Sequence, residues 1–169
     1  MALEKAREKV QKAIEKYKVK ESVKVDTNGP CFPYPTGPRQ YQITAFNNWK
    51  ANGQRGLFAM ATGTGKTITS LNCLYEIYKH SGYYKALILV PTVTLVDQWE
   101  IECRKFKLDN IIKVCSKNHS WKNEIDRLKA TEAVQRGSKL SYIIISTYAS
   151  YGKVDVFQEL NEFSRKQLL

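Results

Sequence analysis

Apolar positions give this chain its first outline. Leu3, Ala6, Val10, Ala13, Ile14 and Tyr17 recur at three- and four-residue spacing with Lys and Glu between them, which predicts an amphipathic helix within an N-terminal extension, residues 1–26. Residues 27–38 follow with four prolines and two glycines, a density that excludes regular structure and predicts a linker or an ordered collar. From Arg39 onward the period changes repeatedly. Gln40 to Lys50 reads as a helix carrying Tyr41, Ala45, Phe46 and Trp49, Gly56 to Met60 as a buried strand, and Thr67 to His80 as a helix with Ile68, Leu71, Leu74, Tyr75 and Tyr78 inward. Ala86 to Val90 predicts a second buried strand stopped by Pro91. Leu95 to Phe106 is a helix, Ile111 to Cys115 a short strand, Lys122 to Arg136 a helix, and Tyr142 to Ser146 a third strong strand. Strands that are apolar throughout and separated by helices predict an α/β fold, a three-layer arrangement with a parallel sheet covered on both faces, over residues 39–169.

Charge adds a preference for partners. The 169 residues hold 27 Lys and Arg against 16 Asp and Glu, a formal +11, and such an excess favours polyanions, nucleic acid foremost. The plain alternative is lysine on solvated helix faces, and it applies to the N-terminal helix too. Four cysteines (31, 73, 103, 115) show no Cys-x-x-Cys spacing and two histidines (80, 119) lie far apart, so no zinc site is suggested. Cys73 and Cys115 fall in apolar patterns and read as small buried hydrophobes of a reducing compartment. The longest apolar run, near Ala86–Pro91, is far short of the roughly 18 to 20 residues that span a bilayer. A charged N-terminus without the apolar core of a signal peptide completes the expectation of a cytoplasmic protein without a membrane partner.

The chemistry is concentrated in Met60-Ala61-Thr62-Gly63-Thr64-Gly65-Lys66-Thr67. Gly63 and Gly65 let the backbone turn N–H groups toward an anion, Lys66 adds a point charge for outer phosphates, and Thr67 offers a hydroxyl to Mg²⁺. A nucleoside triphosphate is the ligand this turn predicts. The strict phosphate-loop pattern has glycine where Met60 stands, a departure that leaves the turn and its charge in place.

Four blocks in order resemble the superfamily-two, DEAD/DEAH-like helicases and translocases. The similarity is to the branch with the motor subunits of type I and type III restriction enzymes and the repair helicases. The blocks are Arg39-Gln40-Tyr41-Gln42, the Ala61–Thr67 turn, Val90-Pro91-Thr92 with Leu95 and Gln98-Trp99 after it, and Ile144-Ile145-Ser146-Thr147-Tyr148. The resemblance spans about Arg39 to Ser150 and implies the first part of a RecA-like phosphate-loop NTPase lobe. It implies ATP and Mg²⁺ as cofactors, held by Arg39, Gln42, Thr62, Gly63, Thr64, Gly65, Lys66, Thr67 and Ile68, with Lys66 and Thr67 in catalytic roles and Thr67 on the metal. Gln42 is placed to read the adenine edge, since an amide can accept from the exocyclic amine and donate to a ring nitrogen. An exposed helical glutamine is the alternative. Pro91, Thr92 and Thr147 match the blocks that touch one nucleic-acid strand through its backbone, and the hydroxyls suit phosphate. Helix capping by Thr92 or Thr94, and a plain strand-end hydroxyl at Thr147, are the competing readings. Trp121 invites comparison with a base-stacking ring, against the commoner use of a loop aromatic to cover a core edge.

By the same resemblance the next block is an Asp-Glu pair, followed by a second lobe with an arginine finger. No Asp-Glu pair occurs in the 169 residues, which stop at Gln167-Leu168-Leu169. Lack of a finger alone typically costs about 10³- to 10⁵-fold in rate, so this polypeptide by itself is expected to bind adenine nucleotide and hydrolyse it poorly or not at all. The function expected for the full-length protein is that of an ATP-dependent helicase or translocase acting on DNA, with RNA less favoured, partnered by the second lobe and by restriction or repair subunits. Two other classes are a non-catalytic nucleotide or nucleic-acid module derived from such a motor, and an unrelated phosphate-loop kinase, for which no lid or second substrate block is found.

Overall fold

The computed structural model of the chain describes residues 29–134 and 139–164; the amphipathic N-terminal helix lies outside them. Nine elements follow in order: α1 (Gln40–Ala51), α2 (Lys66–Ser81), β1 (Lys85–Val90), α3 (Val93–Lys105), β2 (Ile111–Val114), α4 (Trp121–Val134), β3 (Tyr142–Thr147), α5 (Tyr148–Tyr151) and α6 (Val154–Ser164). The three strands form a parallel sheet in the order β1-β3-β2. β3 is therefore central, and Ile144 has Leu87 on one side and Ile112 on the other.

Every residue of β3 is buried, and its alternation divides the interior in two. Ile143 and Ile145 join Leu71 and Leu74 of α2, Val96 and Cys103 of α3, and Phe106. Tyr142 and Ile144 join Ile112, Val114, Ile125 and Leu128 of α4, and Leu160 of α6. Because successive side chains of a strand point to opposite faces, one six-residue run serves both cores, and the result is helix, sheet, helix. Cys73 and Cys115 are buried as read from their apolar context. α2 stops where Gly82, at φ 76°, takes the left-handed cap conformation and donates its N–H to the Tyr78 carbonyl at 2.8 Å. Residues 29–38 have no helix or strand and lie as bends against the body. Phe32 meets the Phe106 ring edge-on at 5.4 Å, and the Cys31 N–H donates to the Phe106 carbonyl at 2.9 Å.

The segment Gly56–Met60 departs from expectation. It is apolar and unstructured by any ladder: no strand of the sheet pairs with it, Leu57 is 89% exposed, and a cavity of about 250 Å³ lies between Phe58 and Ala86–Ile88 of β1. An apolar run becomes a strand only when a neighbour takes its N–H and C=O groups, and none among the described residues does so here. Its other flank faces a second cavity, about 550 Å³, against α1.

Polar contacts tie the layers at their rims. Lys113 of β2 reaches Asp97 at 3.1 Å and Glu100 at 2.7 Å on α3, and Arg104 holds Glu100 at 2.7 Å. Hydrogen bonding from Lys113 holds both carboxyls below the usual carboxylate range, with Arg104 adding to the effect on Glu100. Depressed folded values mean that these groups contribute stability above their unfolded pKa, near about 4, and lose it as pH falls through the folded values. Thermal melting from pH 7 downward is expected to show Lys113→Met less stable than wild type at neutral pH and converging with it as pH falls through the lowered carboxyl values. Ile145→Ala is expected to cost about 2 to 5 kcal/mol in urea denaturation, because the cavity it leaves sits in the middle of the sheet.

Candidate functional site

The turn from Met60 to Lys66 is built to leave backbone donors free. Gly63 and Gly65 both hold left-handed backbone, φ 79° and 83°, and α2 begins on Gly65 with no side-chain cap. The first-turn N–H groups of a helix have no intrahelical acceptor, so those of α2 stand open next to the loop, at the positive end of the helix dipole. Thr64 closes the turn: its hydroxyl donates to the Ala61 carbonyl at 2.6 Å. Lys66 is exposed but not extended. Its ammonium donates to the carbonyls of Met60 at 3.1 Å and Ala61 at 3.0 Å, folding the side chain back over the loop. Thr62 and Gly63 are exposed, and Thr64, Gly65, Thr67 and Ile68 half-buried around the same bend.

The start of α1 clamps this bend from the side. Gln42 is only 4% exposed; its carbonyl oxygen accepts the Arg39 N–H at 2.9 Å, and its amide nitrogen lies 3.2 Å from where a Cβ at Gly65 would stand. Tyr41 donates its hydroxyl proton to the Thr64 carbonyl at 2.6 Å, and Arg39 in turn donates to the Tyr41 oxygen at 3.3 Å. Gln42, distant in sequence from Gly63–Lys66, is thus brought against the loop, and Arg39 is tied to it through Gln42 and Tyr41. Between them and the residue 32–37 collar lies a cavity of about 300 Å³, reached by Phe32, Tyr34, Thr36, Gln42 and Gly65. It borders a groove of about 580 Å³ that follows Thr62–Ile68 to Leu95, Gln98 and Trp99 of α3. Tyr34, Tyr41 and Thr36 escaped notice in the sequence. Tyr41 read as one more helix aromatic, and its position between Arg39 and Gln42 was the available signal.

The remaining candidates lie along the carboxyl ends of the strands, where open α/β sheets hold ligands. Thr92 is exposed and caps α3, its hydroxyl oxygen accepting the Leu95 N–H at 3.3 Å, and Pro91 is exposed before it. Thr147 is 4% exposed and caps α5, accepting the Ser150 N–H at 3.1 Å. The register sets Thr147 opposite Val90, so the two caps are neighbours at one edge. Trp121 is half-buried against the second core with the Lys122 ammonium 5.7 Å from its ring centre, as expected of a ring covering a core edge. Among the described residues no three His, Cys, Asp or Glu side chains group to hold a metal ion, and no helix is long and apolar enough to cross a membrane.

Comparison with known proteins decides the kinship, since residues 35–168 match the family described as type III restriction enzyme, res subunit. The chain belongs to that family. Two relatives agree with it. The chain is 42% identical over 65 residues to the type I restriction enzyme EcoAI endonuclease subunit of Escherichia coli, covering 36% of this chain and 8% of that protein. It is 30% identical over 99 residues to the DNA 3'-5' translocase XPB2 of Sulfurisphaera tokodaii, covering 55% of this chain and 21% of that one. The chain thus spans a small part of either relative's length. The expected kinship with restriction and translocase motors holds, and the three-layer parallel sheet is that of a partial RecA-like lobe in a res-subunit chain.

In this res-subunit lobe the two loop glycines differ in what surrounds them. A Cβ at Gly63 would meet nothing within 4 Å, whereas one at Gly65 would press on Gln42. Both substitutions carry the left-handed strain of about 1 to 2 kcal/mol. Gly65→Ala is therefore expected to destabilise more than Gly63→Ala in matched denaturant titrations, and equal losses would contradict the close fit of Gln42.

Proposed function

We propose that the chain is the ATP-binding portion of an ATP-dependent DNA helicase or translocase of the restriction or repair type. The observation that carries the reading is the uncapped start of α2 joined to two left-handed glycines, with the Lys66 ammonium already folded over the same bend. Phosphate oxygens are the natural replacement for the Met60 and Ala61 carbonyls that Lys66 now holds, and N–H groups of the loop and first turn of α2 take the remaining oxygens. The fit extends to the base. The cavity walled by Gln42, Arg39, Tyr34 and Phe32 adjoins the loop, and Gln42 retains amide protons for an adenine ring while its carbonyl secures Arg39. Thr62, Thr64 and Ile68 shape the rim.

ATP, when bound, supplies a hydrolysable phosphoanhydride, and Mg²⁺ neutralises charge on its phosphates. Thr67, in the first turn of α2, is the residue that would offer Mg²⁺ its hydroxyl, and a Mg²⁺ ion keeps its other positions for water and phosphate oxygens. Lys66 and Thr67 are accordingly the chain's catalytic contribution. Pro91, Thr92 and Thr147 line the carboxyl edge proposed as the DNA track. Thr92 is exposed, with its hydroxyl turned to Leu95, whereas Thr147 is buried and shapes the edge by fixing α5. DNA is favoured over RNA because the translocase relative is named for DNA and the restriction relative is an endonuclease subunit. The second lobe and restriction or repair subunits are the partners this reading implies.

Calorimetric titration with a non-hydrolysable ATP analogue tests the loop. Lys66→Ala is expected to weaken binding by about 10- to 100-fold, the equivalent of a charged hydrogen bond worth about 1.5 to 3 kcal/mol; unchanged affinity would discard the assignment. Affinity for DNA is expected to fall steeply with salt, as several phosphate contacts require, and a flat response would reduce the basic excess to ordinary surface charge.

A further inference from the structure

Among the described residues Tyr148 is an exposed aromatic at the carboxyl edge. As the first residue of α5 it follows the buried cap Thr147, which the register sets opposite Val90, the residue that precedes Pro91 and the exposed Thr92. Its side chain turns outward, 57% exposed, and among the described residues it makes neither a hydrogen bond nor a ring contact. Tyr151, three positions on, differs: it packs against the second core and meets Phe157 edge-on at 5.5 Å. Neither capping nor packing therefore needs a ring at position 148.

The surrounding charge suits a polyanion. Lys153 is exposed just past α5, and Asp155 two residues on lies 4.0 Å from the Lys122 ammonium. An exposed aromatic face at the end of β3, with an exposed lysine five residues on, matches a nucleotide whose base is unstacked. In a duplex the base face is covered by its neighbours, so the matching partner is a single strand.

We propose that Tyr148 stacks on a base of single-stranded DNA lying across the carboxyl ends of β1 and β3, a contact distinct from the backbone contacts at Pro91 and Thr92. The inference rests on the reading of that edge as a nucleic-acid track. It assigns the edge a preference for strands that carry bases, because a π-face meets any base while a phosphate contact ignores them all.

The test is fluorescence anisotropy with the 169-residue chain, using a labelled oligothymidylate and an abasic strand of equal length. Wild type is expected to bind the oligothymidylate about tenfold more tightly than the abasic strand. Tyr148→Ala is expected to lose that advantage on the oligothymidylate, to leave abasic binding and the salt slope unchanged, and Tyr148→Phe to stay within about twofold of wild type. Equal wild-type affinity for the two strands overturns the stack, whatever the alanine variant does to folding. So does an alanine loss shared by both strands, or no loss at all. If wild type binds neither strand, the track itself fails and the stack with it; steep salt dependence without a base preference removes the stack alone.

Discussion

A helix start can bind an anion only while its N–H groups are left without protein acceptors, and in this chain the first elements are arranged around that condition. Gly65 opens α2 in left-handed backbone where a capping side chain would otherwise sit, and a free amide array in such a bend would relax unless something held it. The hold comes from α1: the Tyr41 hydroxyl fixes the Thr64 carbonyl, and Gln42 fills the space beside Gly65. Base recognition and phosphate recognition are thereby proposed to share one clamp, because the residues that would see adenine are the residues that keep the loop in shape.

The sheet supplies the second requirement, a common edge. β3 lies between β1 and β2 and buries side chains in both cores, so its end cannot shift without disturbing two layers. Thr147 ends β3 and Thr92 lies two residues past β1, and each caps the helix that follows. A threonine that caps a helix has its hydroxyl and backbone fixed by local bonds, which gives the carboxyl edge a defined shape for a proposed strand of DNA to follow.

Much of this was legible because period and composition agreed. β1 and β3 are unbroken apolar runs, and α2 and α3 carry their inward residues at helical spacing. Gly56–Met60 is as apolar as β1 yet forms no strand, since a ladder depends on what stands beside a segment and not on the segment's own residues. The collar gave no period to read. Phe32 nevertheless packs on Phe106 and Tyr34 walls the cavity beside the loop, contacts set by tertiary proximity. α5 and α6 also went unread. Beyond Thr147 the inward residues, among them Val156 and Leu160, are interspersed with exposed Val154 and Phe157, which blurs the amphipathic pattern. Within the site, Arg39, Gln42 and the loop glycines were legible from their order along the chain. The Tyr41–Thr64 bond was not, because it joins positions 23 residues apart.

Backbone hydrogen exchange with and without an ATP analogue puts the central claim to its most direct test. If the loop amides and the first turn of α2 are the phosphate donors, exchange at Gly63 to Ile68 slows on addition of the analogue, together with the start of α1 that clamps them. Protection confined to other parts of the chain, with Gly63 to Ile68 exchanging as before at saturating analogue, would contradict the account.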